Sequence, residues 1–300
     1  MIRIITDSMA GIPKELAEQE NIEVVTLFVH RDGREYADVS MDIDGFYEDI
    51  YEMVDDLPTS SQPSQGEFEA VFRAAAEAGD EVLGIFTSGR HSGTLDGALR
   101  VARSVAASHA DFRFCLVDSL SNCFDEGFPV LAGVAGRDAG CTLEQCAKLV
   151  TDSVACSRII FTPESLRFLQ AGGRIGDAAA LLGSLMKLCP LITVRDGETT
   201  TMAKVRTHKK AVAAIAEKFR EDIAQFGFKN AVVQYIGRPK EALAWAKEVI
   251  EPICKSAVAV IPVSPVVGVH VGPALGISYE CERPLPGKLT PGFEVPVYYS

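Results

Sequence analysis

The chain has 300 residues, and 29 Lys and Arg against 41 Asp and Glu give a formal charge of −12. With 47% hydrophobic and 23% charged residues it has the composition of a globular protein that buries its own core, which excludes a disordered chain and removes any need for a structural metal or disulfide framework. A chain this acidic repels phosphate backbones and anionic lipid, so no nucleic-acid partner is expected.

Short β-branched runs alternate with helical segments from the start. Residues 2–6 predict a strand, 13–20 a helix opened by Pro13, and 22–29 a second strand ending in the turn Arg31-Asp32-Gly33-Arg34. Ile43, Phe46, Ile50 and Val54 have helical spacing over 42–55. A hydroxyl-rich loop at 58–64 follows, and Ser64 with Glu67 forms a capping box for the next helix. A strand over 81–87, a loop at 88–94, a helix to about 109 and a strand over 112–118 continue the series, with helices near 124–139 and 142–155. These β–loop–α units predict an α/β fold with a largely parallel sheet.

The series restarts near 156, which predicts two α/β domains, 1–155 and 156–300. A strand over 158–161 and a helix over 163–171 precede Gly172-Gly173-Arg174-Ile175-Gly176 and a helix through 188. Residues 191–194 and 199–205 flank Asp196-Gly197, the signature of a hairpin. A helix over 208–226, a strand over 230–235, a helix over 239–250 and a strand over 257–263 follow, and the Pro- and Gly-rich last 20 residues are expected to wrap the surface. Residues 256–279 lack Asp, Glu, Lys and Arg, yet three prolines and three glycines interrupt them, so two buried strands joined by a loop are expected rather than a membrane span. The N-terminus has an acid at Asp7 and no long apolar run, so no secretory signal is expected. Eight scattered cysteines without a C-x-x-C pair read as reduced core thiols of a cytoplasmic protein, and five isolated histidines give no metal-site spacing.

Ligands of open α/β sheets bind beyond the carboxyl ends of the strands. Three loops there carry hydroxyls, Thr6-Asp7-Ser8, Thr59-Ser60-Ser61 and residues 88–94, and hydroxyls with backbone N–H groups at helix starts suit an anion; each also suits simple helix capping. No phosphate-loop or dinucleotide motif is present, and Gly89-Arg90-His91-Ser92-Gly93 departs from the nucleophile elbow. The residues alone leave open an α/β hydrolase using Ser92 with His270, a core role for His270, and solvated or capping roles for Arg174 and Arg206.

In order and spacing these motifs resemble the DegV family over almost the whole chain. The resemblance rests on Thr6-Asp7-Ser8, Thr59-Ser60-Ser61-Gln62-Pro63-Ser64, residues 88–94 and Val117-Asp118-Ser119. It continues through Leu166-Arg167-Phe168-Leu169-Gln170-Ala171-Gly172-Gly173-Arg174-Ile175, Leu188-Cys189-Pro190-Leu191-Ile192, Val205-Arg206-Thr207 and His270-Val271-Gly272-Pro273. It implies two α/β domains with a long-chain fatty acid, such as palmitate, stearate or oleate, in a tunnel between them. It also implies a protein that is not itself catalytic, needs no cofactor or metal, and presents the carboxylate to a separate bacterial fatty acid kinase in phospholipid metabolism. By the same resemblance Ser60, Ser92 and His270 hold the carboxylate, and Arg174 and Arg206 lie near the head group and the kinase-facing surface. Ser60 stands where the family has Thr, Gly89 and His91 stand for Ser and Leu, and the turn after His270 is one residue shorter. Burying sixteen carbons is worth about 12 kcal/mol at about 0.8 kcal/mol per methylene. Such a ligand therefore needs an apolar tunnel and donors that offset carboxylate desolvation.

Overall fold

A computed structural model describes residues 1–182 and 188–300. The first sheet has the order β14-β7-β6-β1-β2, built from β1 (Ile2–Asp7), β2 (Ile22–Val25), β6 (Glu81–Phe86), β7 (Phe114–Asp118) and β14 (Val297–Tyr299). Its first four strands in the sequence pair in parallel because a helix bridges each crossover: α1 (Lys14–Gln19), α3 (Gln65–Ala78) and α4 (Thr94–Ser108). Alternate strand residues serve opposite faces. Ile5 and Phe86 pack with Phe68 and Phe72 of α3 and Leu95 of α4, whereas Ile4 and Ile85 pack with Val130 of α5 (Phe124–Asp138) and Val150 of α6 (Leu143–Cys156). The expected capping box is formed, Ser64 Oγ accepting from Glu67 N and Glu67 accepting from Ser64 N.

The second sheet has the order β10-β9-β8-β13-β11-β12, from β8 (Ser157–Pro163), β9 (Cys189–Arg195), β10 (Glu198–Val205), β11 (Asn230–Ile236), β12 (Ala259–Pro262) and β13 (Ala274–Glu280). The α/β class holds, but the parallel pairing is concentrated in the first sheet. Here only β11 and β12 run parallel, and the other ladders are antiparallel. The expected hairpin is present: Asp196 and Gly197 take φ of 50° and 84°, the positive values a two-residue turn between twisted strands demands. One face of this sheet is covered by α8 (His208–Phe226) and α9 (Pro239–Trp245). The latter runs through a π turn at Ala246–Ile250 into α10 (Glu251–Cys254).

Several expectations are corrected. The strand expected over 22–29 breaks at Thr26, because β1 stops offering partners at Asp7; the chain leaves for a small antiparallel sheet of β3 (Phe28–Arg31), β4 (Arg34–Ala37) and β5 (Thr59–Ser61). The hydroxyl loop therefore contains a strand. The helix over 42–55 is only α2 (Ile43–Glu48) and a single turn at Met53–Asp55. Residues 163–166 belong to β8 and a loop, leaving α7 (Arg167–Ala171), and a 3₁₀ segment (Gly176–Leu181) follows it; the expected continuation through 183–187 lies outside the described residues. The uncharged stretch holds the two expected strands, β12 and β13, but no simple loop joins them. Its middle is α11 (Pro265–Val271), with Pro265 at the first helical position and apolar residues on every side because the helix is buried all round. Among the described residues no helix is long and apolar enough to cross a membrane.

The C-terminal segment does more than wrap the surface. β14 returns to the first sheet and covers the free edge of β7, and Lys288 is buried with its Nζ 2.5 Å from Asp125 Oδ2. All eight cysteines are free thiols, four buried and four half-buried. Replacing Lys288 by Ala strands the Asp125 carboxylate in the core and should cost about 3–5 kcal/mol, read as a lower urea midpoint, while Lys288→Met with Asp125→Leu should recover most of it.

Candidate functional site

The other face of the second sheet is covered by α7 and α11 of its own half and by the small sheet with α2, which reaches over from the first half. Leu27, Val29, Tyr47 and Ile50 from that cap pack with Ile159, Val194, Val266 and Val267. Tyr47 Oη donates to Val263 O at 2.7 Å, and Ser264 Oγ to Asp38 Oδ2 at 2.7 Å. A side chain at Gly268 would put its Cβ 2.4 Å from Tyr47 Oη, so glycine is what lets the cap approach α11.

Between cap and sheet lies a cavity of about 230 Å³. One part of its wall is apolar, from Leu27, Ile159, Phe161, Val194, Val263 and Val267. The other is polar, from Ser60, Ser92, His91, Asn122, Thr199, Arg174 and His270. Although the chain carries a charge of −12, no Asp, Glu or Lys is among the described residues lining it, and Arg174 is the charged one.

The structure brings Ser60, Ser92, His270 and Arg174 to this cavity. Ser60 sits on β5, and its Oγ is 2.7 Å from His270 Nε2 on α11. Ser92 lies just before α4, with its Oγ 2.8 Å from Thr94 Oγ1. Arg174 donates from Nε to His91 O at 3.3 Å and from its guanidinium to Gly172 O. Arg206 is exposed after β10 and does not line the cavity. The Ser92–His270 dyad is not assembled: His270 pairs with Ser60, Ser92 pairs with Thr94, and among the described residues no carboxylate orients the His270 ring.

The third hydroxyl loop has a different use. Asp7 accepts from Met9 N and Thr87 N at 2.9 Å each, tying two loops together, and burial pushes its carboxyl up to about 7 despite those bonds. Ser8 Oγ accepts from Leu27 N, where the chain leaves the first sheet. Sequence reasoning did not anticipate Asn122 and Thr199 at the polar end. Asn122 is brought there by Leu120 and Cys123, which hold φ of 52° and 55° after β7, and Thr199 by the start of β10. Neither position has a signal in the sequence beyond its polarity.

Both cavity histidines are neutral near pH 7. Burial, reinforced by the positive charge of Arg174, lowers His91 and His270 to about 4. Such a site offers hydroxyls, neutral imidazoles and one guanidinium at the end of an apolar chamber, and it favours a ligand with an anionic head and an apolar body. Among the described residues no group of His, Cys, Asp and Glu could hold a metal ion.

Fold and site together define an α/β protein with a chamber between its two halves, apolar along one part of its wall and polar along another. The DegV family model matches residues 1–282, and the chain belongs to that family. It is 36% identical over 282 residues to a DegV domain-containing protein of Clostridium perfringens, covering 94% of this chain and 99% of the relative. A stearic acid-binding protein from Eubacterium ventriosum superposes with a TM-score of 0.84 at 27% identity, covering 94% of this chain and 99% of that one. DegV of Bacillus subtilis, described as a fatty acid binding protein, superposes with a TM-score of 0.82 at 29% identity over 93% of this chain and 99% of that one.

Because an unfolded histidine takes its proton near 6.5 and these two near 4, the unfolded chain binds more protons between those values. Both rings therefore oppose folding progressively as pH falls through that window and have no effect above it. Carbon-13 titration of the ring Cε1 signals should give midpoints at about 4 for His91 and His270; midpoints near 6.5 would mean that solvent reaches the rings.

Proposed function

We propose that this protein binds a long-chain fatty acid in the cavity and presents its carboxylate to a separate kinase, which forms the acyl phosphate with ATP. The observation that carries the reading is the division of one cavity into an apolar chamber and a polar end with no acidic residue. The stearic acid named for the Eubacterium ventriosum structure and the fatty acid binding described for the Bacillus subtilis one support it. In this reading the units 1–155 and 156–300 are two α/β domains, with the acyl chain held where the cap of the first meets the open sheet face of the second. The protein works in the bacterial cytoplasm and supplies phospholipid metabolism.

The carboxylate is held by Ser60 and Ser92, with His270 acting on it through Ser60. With its proton on Nε2, His270 donates to Ser60 Oγ, and this frees the Ser60 hydroxyl to donate to the ligand. Ser92 can turn its hydroxyl from Thr94 to a second oxygen. Each such bond to a charged group contributes about 1.5–3 kcal/mol, enough together to offset removal of the carboxylate from water. Arg174 adds a positive field. Arg206, exposed beyond the cavity, faces the kinase. In this reading the chain itself activates no nucleophile and moves no phosphoryl group, and the catalytic work belongs to the partner.

Denaturing purified protein and analysing the organic extract by mass spectrometry should yield a C14–C18 fatty acid near one per chain, and repeated recovery of empty protein from a lipid-rich host would overturn the reading. Ser60→Ala should weaken palmitate binding about 10-fold, and Val267→Trp, which fills the apolar wall, should abolish it with the fold intact by circular dichroism. In a reconstituted assay Arg206→Ala should leave palmitate binding unchanged and reduce kinase-dependent acyl phosphate formation at least 10-fold; equal turnover would remove Arg206 from the partner surface.

A further inference from the structure

The polar end of the cavity has a second imidazole besides His270. His91 lines it immediately before Ser92, and its ring lies between Asn122 and Thr199. Cys123 Sγ–H donates to Asn122 Oδ1 at 3.2 Å, which turns the amide so that Nδ2 donates to His91 Nδ1 at 3.2 Å. Nδ1 therefore accepts, and the ring proton sits on Nε2. The group this Nε2–H faces is Thr199 Oγ1 at 3.3 Å, a long contact for a nitrogen donor. The ring is pre-oriented from behind, it carries its donor toward the cavity, and that donor is weakly engaged. Arg174 fixes the same turn of backbone by donating to His91 O, and its charge acts on both His91 and His270.

We propose that His91 is a specificity-determining ligand of the head group: its Nε2–H leaves Thr199 for a carboxylate oxygen, so that the anion is held between the His91 imidazole and the Ser60 hydroxyl that His270 orients. This inference rests on the fatty-acid reading. The Asn122–His91 pair selects for a head group that accepts and is charged. Thr199, released from the ring, is free to donate as well. A fatty alcohol of the same length fills the apolar chamber equally but gives His91 a weaker, neutral acceptor.

The test compares palmitate with hexadecanol on the whole protein, using wild type, His91→Leu and His91→Gln, with nitrogen-15 spectra of the histidine rings. His91→Leu should weaken palmitate binding about 10- to 100-fold and change hexadecanol binding less than about 3-fold, as expected for one bond to a charged group. His91→Gln, whose amide N–H reaches the same side, should restore most of the palmitate affinity. In wild type the His91 Nε2–H resonance should shift on adding palmitate and stay in place with hexadecanol. Equal losses for both ligands, or an unmoved Nε2–H resonance with palmitate bound, would overturn the role of His91 and leave the fatty-acid reading standing. Failure of wild type to bind palmitate would overturn both.

Discussion

The hydrogen bond between Ser60 and His270 joins residues 210 positions apart, and the rest of the cavity depends on it. Ser60 belongs to a strand that exists only because the chain leaves the first sheet at Thr26 and builds a small one of its own. His270 belongs to a buried helix at the edge of the second half. Neither half supplies both groups. The polar end of the cavity is therefore assembled only when the cap docks, and of the apolar residues whose contacts drive docking, Leu27, Val266 and Val267 also form the chamber wall.

That shared wall explains an asymmetry in the second sheet. A sheet with one apolar face must bury it, and here α8 and α9 cover one side only. The other side is shared between α7, α11 and a cap from the first half, anchored by a few polar bonds at its rim, among them Tyr47 to Val263 O, Ser264 to Asp38, and Arg238 N to Tyr51 Oη. A cover of this kind leaves a void that a fully interdigitated helix layer would fill. Interiors otherwise pack closely, so a retained chamber points to an occupant.

Much of this was legible in the sequence where local chemistry decides the outcome. The Ser64–Glu67 capping box, the Asp196-Gly197 hairpin and the helical stripe of Ala211, Ile215 and Phe219 are each fixed within a few residues. What escaped was decided at long range. Val266, Val267, Val269 and Val271 look like strand residues, and only burial on all sides lets them form a helix. The run over 22–29 looks like one strand, and only the length of β1 tells where it divides. Ser60, Ser92, His270 and Arg174 of the polar end were readable through their resemblance to a family, whereas Asn122 and Thr199 were not. Nor was the pairing: Ser92 with His270 was the chemically attractive couple, and the fold joins His270 to Ser60 instead.

The neutrality of the two histidines bears on what the site can do. A permanently charged pocket would retain an anion strongly and oppose its release. A pocket of hydroxyls and neutral imidazoles near a single guanidinium binds through directed hydrogen bonds, whose strength depends on geometry and on the exclusion of water. The same burial that holds His91 and His270 near 4 makes each of their N–H bonds stronger once an anion arrives. Affinity then follows the closure of the cap. With the cap docked, the carboxylate has dry, oriented donors. Because Ser60 and His270 come from different halves, the polar end keeps both only while the cap is docked. If the protein presents an acyl carboxylate to a second protein, as proposed, binding energy that depends on the cap suits it better than a fixed charge.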